Sequence, residues 1–228
     1  MRDEAQLRLP NNLIFDLDGT LLDSLPGIAF SVHQACRMVG LPEPEIDLRH
    51  LLGPPIREIL AKAVKIRDQA DLDALEAAFR ASYDGEGWQR TVCFPHAATV
   101  LELMRSQGHR LFVVSNKPRN ISLRILRAEG LLGLFEEIVT ADSRKPVFSD
   151  KKEMLRTLIQ QYALNGCECL FVGDTIEDAE AAAAAETGFV YMKHGYGDLP
   201  DTSPVPVILR LQSFAGFFPL LTQESARD

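Results

Sequence analysis

Short apolar runs separated by helix-length segments constrain this chain more than any other feature. Leu13-Ile14-Phe15, Leu111-Phe112-Val113-Val114, residues 137–140, Leu170-Phe171-Val172 and residues 189–192 all have strand length. Between the later runs, apolar residues recur at helical spacing, predicting helices over 97–107, 121–128, 152–162 and 178–186. Apolar strands alternating with such helices imply a mostly parallel sheet covered on both faces. Residues 205–209 read as a last edge strand and 211–221 as a closing helix.

The first run stands apart from the others. From 24 to 94 the pattern is helix after helix, without a convincing strand. Ile28, Val32, Ala35, Cys36 and Val39 mark the first helix, and further patterns follow at 57–65 and 71–83. Ser24 reads as the cap of the first helix, and Gly40, Pro42 and Pro44 stop it. The economical arrangement is an α/β core built from residues 1–23 and 95–228. Residues 24–94 then form a small helical domain inserted into it.

Apolar residues make up 46% of the 228, enough for a sizeable core. The formal charge of −8 argues against a general binder of nucleic acid or of anionic membranes, although a local basic pocket could still hold an anion. Residues 1–12 are polar and mixed, and no apolar run approaches spanning length, so a soluble, cytoplasmic protein is expected. Cys36 and Cys93 stand alone, while Cys167 and Cys169 lack the partners of a tetrahedral site; reduced structural thiols are expected. The five histidines show no ligand spacing, and Trp88, Phe214, Phe217 and Phe218 read as core.

Chemistry concentrates where the apolar runs stop, which is where open parallel sheets bind ligands. The first run ends in Asp16-Leu17-Asp18-Gly19-Thr20, and alternation places Asp16 and Asp18 on the same side. Two such carboxylates repel unless a cation lies between them or one keeps a proton. The pair suits a hard divalent metal together with nucleophilic or acid–base work. A second run ends in Ser115-Asn116-Lys117, and a later one in Gly173-Asp174-Thr175-Ile176-Glu177-Asp178. Asp178 falls in a first helical turn, so a dipole role and a site role both stay open.

These motifs, in this order, resemble the haloacid dehalogenase-like hydrolase superfamily, and within it the phosphoglycolate-phosphatase-like phosphatases with a small helical cap. The likeness rests on Asp16-x-Asp18-Gly19-Thr20, Ser115-Asn116-Lys117-Pro118, a lysine before Glu153-Met154-Leu155, and Gly173-Asp174-x-x-x-Asp178. Gly53-Pro54-Pro55-Ile56-Arg57-Glu58 and Gly195-Tyr196-Gly197 are similar to that subgroup as well. The resemblance implies a Rossmann-like core with the cap inserted after the first motif, acting as a Mg²⁺-dependent phosphatase on a small phosphomonoester.

Carried onto this sequence, the resemblance makes Asp16 the nucleophile that forms an aspartyl-phosphate, and Asp18 the acid and base. Ser115 and a lysine would hold the phosphoryl oxygens, with Thr20, Asn116 and Arg57 as substrate contacts. Mg²⁺ would be held by Asp16, the backbone carbonyl of Asp18 and Asp174, with Asp178 either a ligand or a support. Lys151 lies 23 residues before Asp174 and suits the family's spacing better than Lys145, which lies 29 before it. Lys152 is expected to face solvent, and Lys117 reads either as a surface charge or as a site-lining group. His96 stands where relatives often carry glycine.

Rival readings share these residues. A β-phosphoglucomutase-like mutase uses the same aspartate pair, and a phosphonatase would need a cap lysine, for which Lys62 and Lys65 qualify by position. Dehalogenase action has no use for Asp18 as an acid–base group. A non-catalytic binding protein on the same fold would have little reason to keep these costly like charges together.

Overall fold

A computed structural model describes residues 8–224; residues 1–7 of the polar opening stretch lie outside it. The first strand, β1 (Asn12–Phe15), lies at the centre of a six-stranded sheet. A two-residue strand, β2 (Leu22–Asp23), follows, and then the helices α1 (Leu25–Val39), α2 (Ile56–Val64) and α3 (Gln69–Gly85). The chain returns through β3 (Val92–Cys93), α4 (Ala97–Ser106), β4 (Arg110–Ser115), α5 (Arg119–Ala128) and β5 (Glu137–Thr140). The remainder is α6 (Lys151–Gln161), β6 (Cys169–Gly173), α7 (Ile176–Ala184), β7 (Gly188–Met192), β8 (Leu209–Leu211) and α8 (Phe218–Glu224).

The sheet order is β5-β4-β1-β6-β7-β8, with every neighbour parallel. After β1 the chain builds outward through β4 and β5, then crosses to the other side of β1 for β6. That reversal opens a crevice at the carboxyl ends of β4, β1 and β6. Phe15 is in register with Val113 on one side and Val172 on the other, so the three strands end within two residues of one another. Alternation sends Leu13, Phe15, Leu111, Val113 and Val172 into one apolar cluster. Ile14, Phe112, Val114 and Phe171 enter the other, beneath α6 and α7. Both faces are therefore covered, as the unbroken apolar runs require.

Residues 24–91 contribute no strand to this sheet, and α1 packs on α3 in the same apolar cluster as one sheet face. The two ends of this segment are tied by an antiparallel ribbon, with Leu22 opposite Cys93 and Asp23 opposite Val92. The sequence pattern showed no strand there, because two-residue strands carry no periodicity. Ser24 does not cap α1 through its side chain. Instead the N–H groups of Ser24 and Leu25 donate to the Tyr196 hydroxyl, at 2.7 and 3.0 Å, and that hydroxyl donates to Asp23 at 2.8 Å. A residue distant in sequence thus satisfies the helix start.

The expected edge strand at 205–209 is displaced to Leu209–Leu211, since Pro204 and Pro206 cannot donate to a ladder; Val205 and Val207 still pack against the core. The closing segment opens as a 3-10 turn over Phe214–Phe217 and becomes α-helical only from Phe218. Phe214 and Phe217 are fully buried, as their apolar character predicts. His96, with φ of 68°, sits in the left-handed region at the start of α4, the backbone conformation that glycine adopts most easily. Among the described residues, no helix is long and apolar enough to cross a membrane.

Candidate active site

The turn after β1 fixes two carboxylates over the crevice. The Asp16 N–H donates to the Val172 carbonyl at 3.0 Å, so Asp16 still follows the sheet, and Leu17 to Leu22 close a tight loop. Gly19 turns this loop with φ of +87°, and a Cβ there would lie 2.3 Å from an Asp174 oxygen. Asp16 and Asp18 both line a cleft of about 680 Å³, open mouth included, together with Ser115, Asn116, Lys117 and Lys151. Its opposite wall comes from the helical segment and is mostly apolar, with Ile56, Ile59 and Phe79 beside Arg80 and Tyr83.

Asp16, Asp174 and Asp178 each place a carboxylate oxygen within 4.8 Å of the others, and all three are buried. Lys151, at 2% exposure, reaches Asp16 at 3.1 Å and Asp178 at 2.7 Å. Burial pushes the Asp16 carboxyl well above the usual range; Asp178, Asp174 and Asp18 push it further, and Lys151 opposes them. Burial also raises Asp174 to about 7, with Asp178 adding to it, against the Tyr196 N–H and the Thr20 hydroxyl. For Lys151, burial alone would favour the neutral amine, but Asp16 and Asp178 outweigh it and hold the ammonium.

With all three buried carboxylates ionised, one ammonium leaves two negative charges, which protons on Asp16 and Asp174 or a bound cation must balance. The Asp16 Oδ1 atom also accepts no aligned hydrogen bond, although it lies beside Lys151. Hard oxygen donors at this spacing, with two surplus charges, fit a divalent cation such as Mg²⁺. Asp178 differs from the other two in how its oxygens are used. Its Oδ2 accepts from the Asp174 N–H, the Thr175 N–H and the Thr175 hydroxyl, and its Oδ1 accepts from Lys151. It closes a reciprocal cap on α7 while it fixes the lysine.

The structure brings together most of the residues singled out from the sequence. Of the two lysines weighed, Lys151 enters the site, while Lys145 is exposed. Lys152 pairs with Glu180 in solvent. Asn116 lines the cleft and donates to Glu177 and to the Gly53 carbonyl, tying the site to the helical segment. Thr20 is not a cleft residue. Fully buried, its hydroxyl donates to Asp174 at 2.9 Å and so orients a carboxylate rather than a substrate. Arg57 is likewise absent from the cleft wall and pairs with Asp73 at 2.6 Å and Glu76 at 2.9 Å. Lys62 and Lys65 are exposed and stand outside the cleft lining.

Six contributors were missed or left open by sequence reading. Lys117 is buried and donates to both Asp18 oxygens, at 2.9 and 3.1 Å. Tyr83 and Arg80 reach the cleft from α3, where helical periodicity marks a buried face but not what it faces. Tyr196 and Gly197 donate backbone N–H groups to Asp174 at 2.8 and 3.3 Å. A Cβ on Gly195 would lie 2.2 Å from the Asp174 side chain, so the Gly195-Tyr196-Gly197 motif lets the backbone wrap that carboxylate.

A parallel sheet carrying acids at the ends of adjacent strands, beneath a helical wall, defines a phosphohydrolase-type site. The chain belongs to the haloacid dehalogenase-like hydrolase family, whose sequence profile matches residues 13–192. Tyrosine-protein kinase PtkA of Mycobacterium tuberculosis is 35% identical over 208 residues, covering 87% of this chain and 68% of that protein. The PtkA structure superimposes with a TM-score of 0.79 at 33% identity, covering 93% of this chain and 98% of the other. A phosphoglycolate phosphatase of Aliivibrio fischeri is 30% identical over 195 residues, covering 81% and 84%. A 5'-nucleotidase of Pseudomonas aeruginosa is 29% identical over 198 residues, covering 86% and 88%. Within its family the chain is a phosphoric monoester hydrolase.

Proposed function

We propose that this phosphatase hydrolyses a small phosphorylated metabolite of the phosphoglycolate type through an aspartyl-phosphate on Asp16, with Mg²⁺ bound, and that residues 24–94 act as its cap. The observation that carries this reading is the surplus of two negative charges among Asp16, Asp174, Asp178 and Lys151, beside an Asp16 oxygen that accepts no aligned hydrogen bond. Asp16 and Asp174 would hold the ion, with the Asp18 backbone carbonyl as the third protein ligand. When bound, the cation neutralises charge on the phosphoryl oxygens and on the attacking carboxylate.

The protein's own residues divide the remaining work. Asp16 attacks phosphorus, and Lys151 and the Ser115 hydroxyl hold the equatorial oxygens in line. Asp18 gives its proton to the departing alkoxide, then takes one from the water that cleaves the acyl phosphate. Asp178 keeps Lys151 in place and does not itself ligate. The apolar wall of the helical segment excludes bulk water, and Arg80, rather than Arg57, offers a guanidinium to a second anionic group on the substrate.

Hydrolysis of p-nitrophenyl phosphate with Mg²⁺ and with EDTA tests the reading. Turnover is expected only with metal, with none in Asp16→Asn; undiminished turnover in the purified variant would reject the nucleophile. Release of inorganic phosphate from sugar phosphates, without isomerised product, separates the phosphatase from the mutase.

A further inference from the structure

We infer that Lys117 is the positioning residue for Asp18, and that Tyr83 makes this position depend on the helical segment lying over the site. The inference rests on the phosphatase reading above, with Asp18 as its acid. An ammonium has three N–H donors and no acceptor. In Lys117 all three have partners: Asp18 Oδ1 at 2.9 Å, Asp18 Oδ2 at 3.1 Å and the Tyr83 hydroxyl at 2.8 Å. The first two partners belong to the turn after β1, and the third to α3 of the helical segment.

Lys117 and Tyr83 are almost completely buried, at 6% and 3% exposure, so water cannot replace a lost partner cheaply. The two Asp18 contacts act together: gripping both oxygens fixes the carboxylate's rotation as well as its distance, which a single hydrogen bond would not do. Asp18, at 22% side-chain exposure, faces the cleft, and Lys117 grips it from the buried side. Burial alone would drive the Lys117 ammonium toward its neutral form, and Asp18 and Tyr83 more than offset this.

The chain of contacts continues from Tyr83 to the Thr91 hydroxyl at 3.3 Å, and Thr91 immediately precedes β3 of the tying ribbon. Asp18, Lys117, Tyr83 and Thr91 thus link the reacting centre, the wall above it and the ribbon that joins the two. Tyr83 is the partner of Lys117 that the helical segment supplies, so loss of its hydroxyl loosens the grip on Asp18 from that side.

The test compares two aryl esters of nearly equal shape, phenyl phosphate and p-nitrophenyl phosphate, in single-turnover measurements with Mg²⁺. Nitrophenolate departs with little need of a proton, whereas phenolate needs one. Lys117→Met is expected to slow the first turnover of phenyl phosphate by roughly 10²-fold and that of the nitrophenyl ester by less than about tenfold. Tyr83→Phe, which keeps the ring packing, is expected to slow phenyl phosphate by about tenfold with KM little changed. In an Asp18→Asn background, Lys117→Met should cost nothing further, since it acts through Asp18. Equal losses on both esters, or additive losses in the double variant, would overturn the role of Lys117. Wild-type rates in Tyr83→Phe would overturn the link to the helical segment. A wild-type protein that turns over neither ester with Mg²⁺ refutes the underlying phosphatase reading instead.

Discussion

Asp174→Asn should stabilise the metal-free protein while removing its response to Mg²⁺. Asp174 is fully buried, and its carboxyl is raised by burial, and next by Asp178, from an ordinary 3.8 to about 7. Keeping it ionised above pH 7 therefore costs on the order of 4 kcal/mol. Asparagine fits the same space. Its amide oxygen can accept from Tyr196 and Gly197, and its NH₂ can face the Thr20 hydroxyl oxygen. The charge assistance given up on those bonds is already contained in the raised value, which their donors pull down. The net gain is therefore at most about 4 kcal/mol, or roughly 8–16 °C in Tm for a chain of this size.

The pH dependence carries the sign. Because the folded carboxyl is raised, the folded chain keeps a proton that the unfolded chain has lost, so metal-free stability falls as pH climbs from about 4 to about 7. The asparagine variant has no such proton to lose. Its advantage in EDTA, followed by thermal unfolding, should be largest at pH 8 and should shrink toward pH 5. Adding Mg²⁺ should then raise the Tm of the wild type and leave the variant unmoved. A variant less stable than wild type in EDTA at pH 8, or a gap indifferent to pH, would refute the electrostatic reasoning.

Further outcomes follow from the same geometry. Apparent Mg²⁺ affinity, measured by calorimetry, should rise between pH 6 and pH 8, because the ion competes with the Asp174 proton. Arg80→Ala should raise KM for a carboxylate-bearing phosphomonoester by about tenfold, whereas Arg57→Ala should stay within about twofold, because Arg80 lines the cleft and Arg57, paired with Asp73 and Glu76, does not. Lys65→Gly should raise Tm by roughly 2–4 °C, since Lys65 ends α2 with φ of 57° and glycine occupies that conformation without strain.

The sheet was legible because its strands are buried on both faces and end abruptly in charge, as Leu13-Ile14-Phe15-Asp16 shows. The acids were legible because they follow those runs directly. Contacts made by residues that periodicity describes only as helical or polar were not. Arg57 and Arg80 both lie on helices of the same segment and both pair with Glu76, and only packing shows that the second lines the cleft while the first does not. Lys117 follows a strand like many surface lysines, and its burial depends on Asp18 and Tyr83, 99 and 34 residues away in sequence. Thr20 carried the right chemistry but serves Asp174, a partner 154 residues away. The ribbon of β2 and β3 escaped notice because hydrogen bonds to a distant segment, rather than local pattern, define it.

The most direct measurement is rapid acid quenching during turnover with Mg²⁺, followed by mass spectrometry of the peptides. A phosphoryl adduct is expected on the peptide that carries Asp16, absent in EDTA and absent in Asp16→Asn. An unmodified Asp16 during active turnover, or an adduct on a different residue, would contradict Asp16 as the nucleophile.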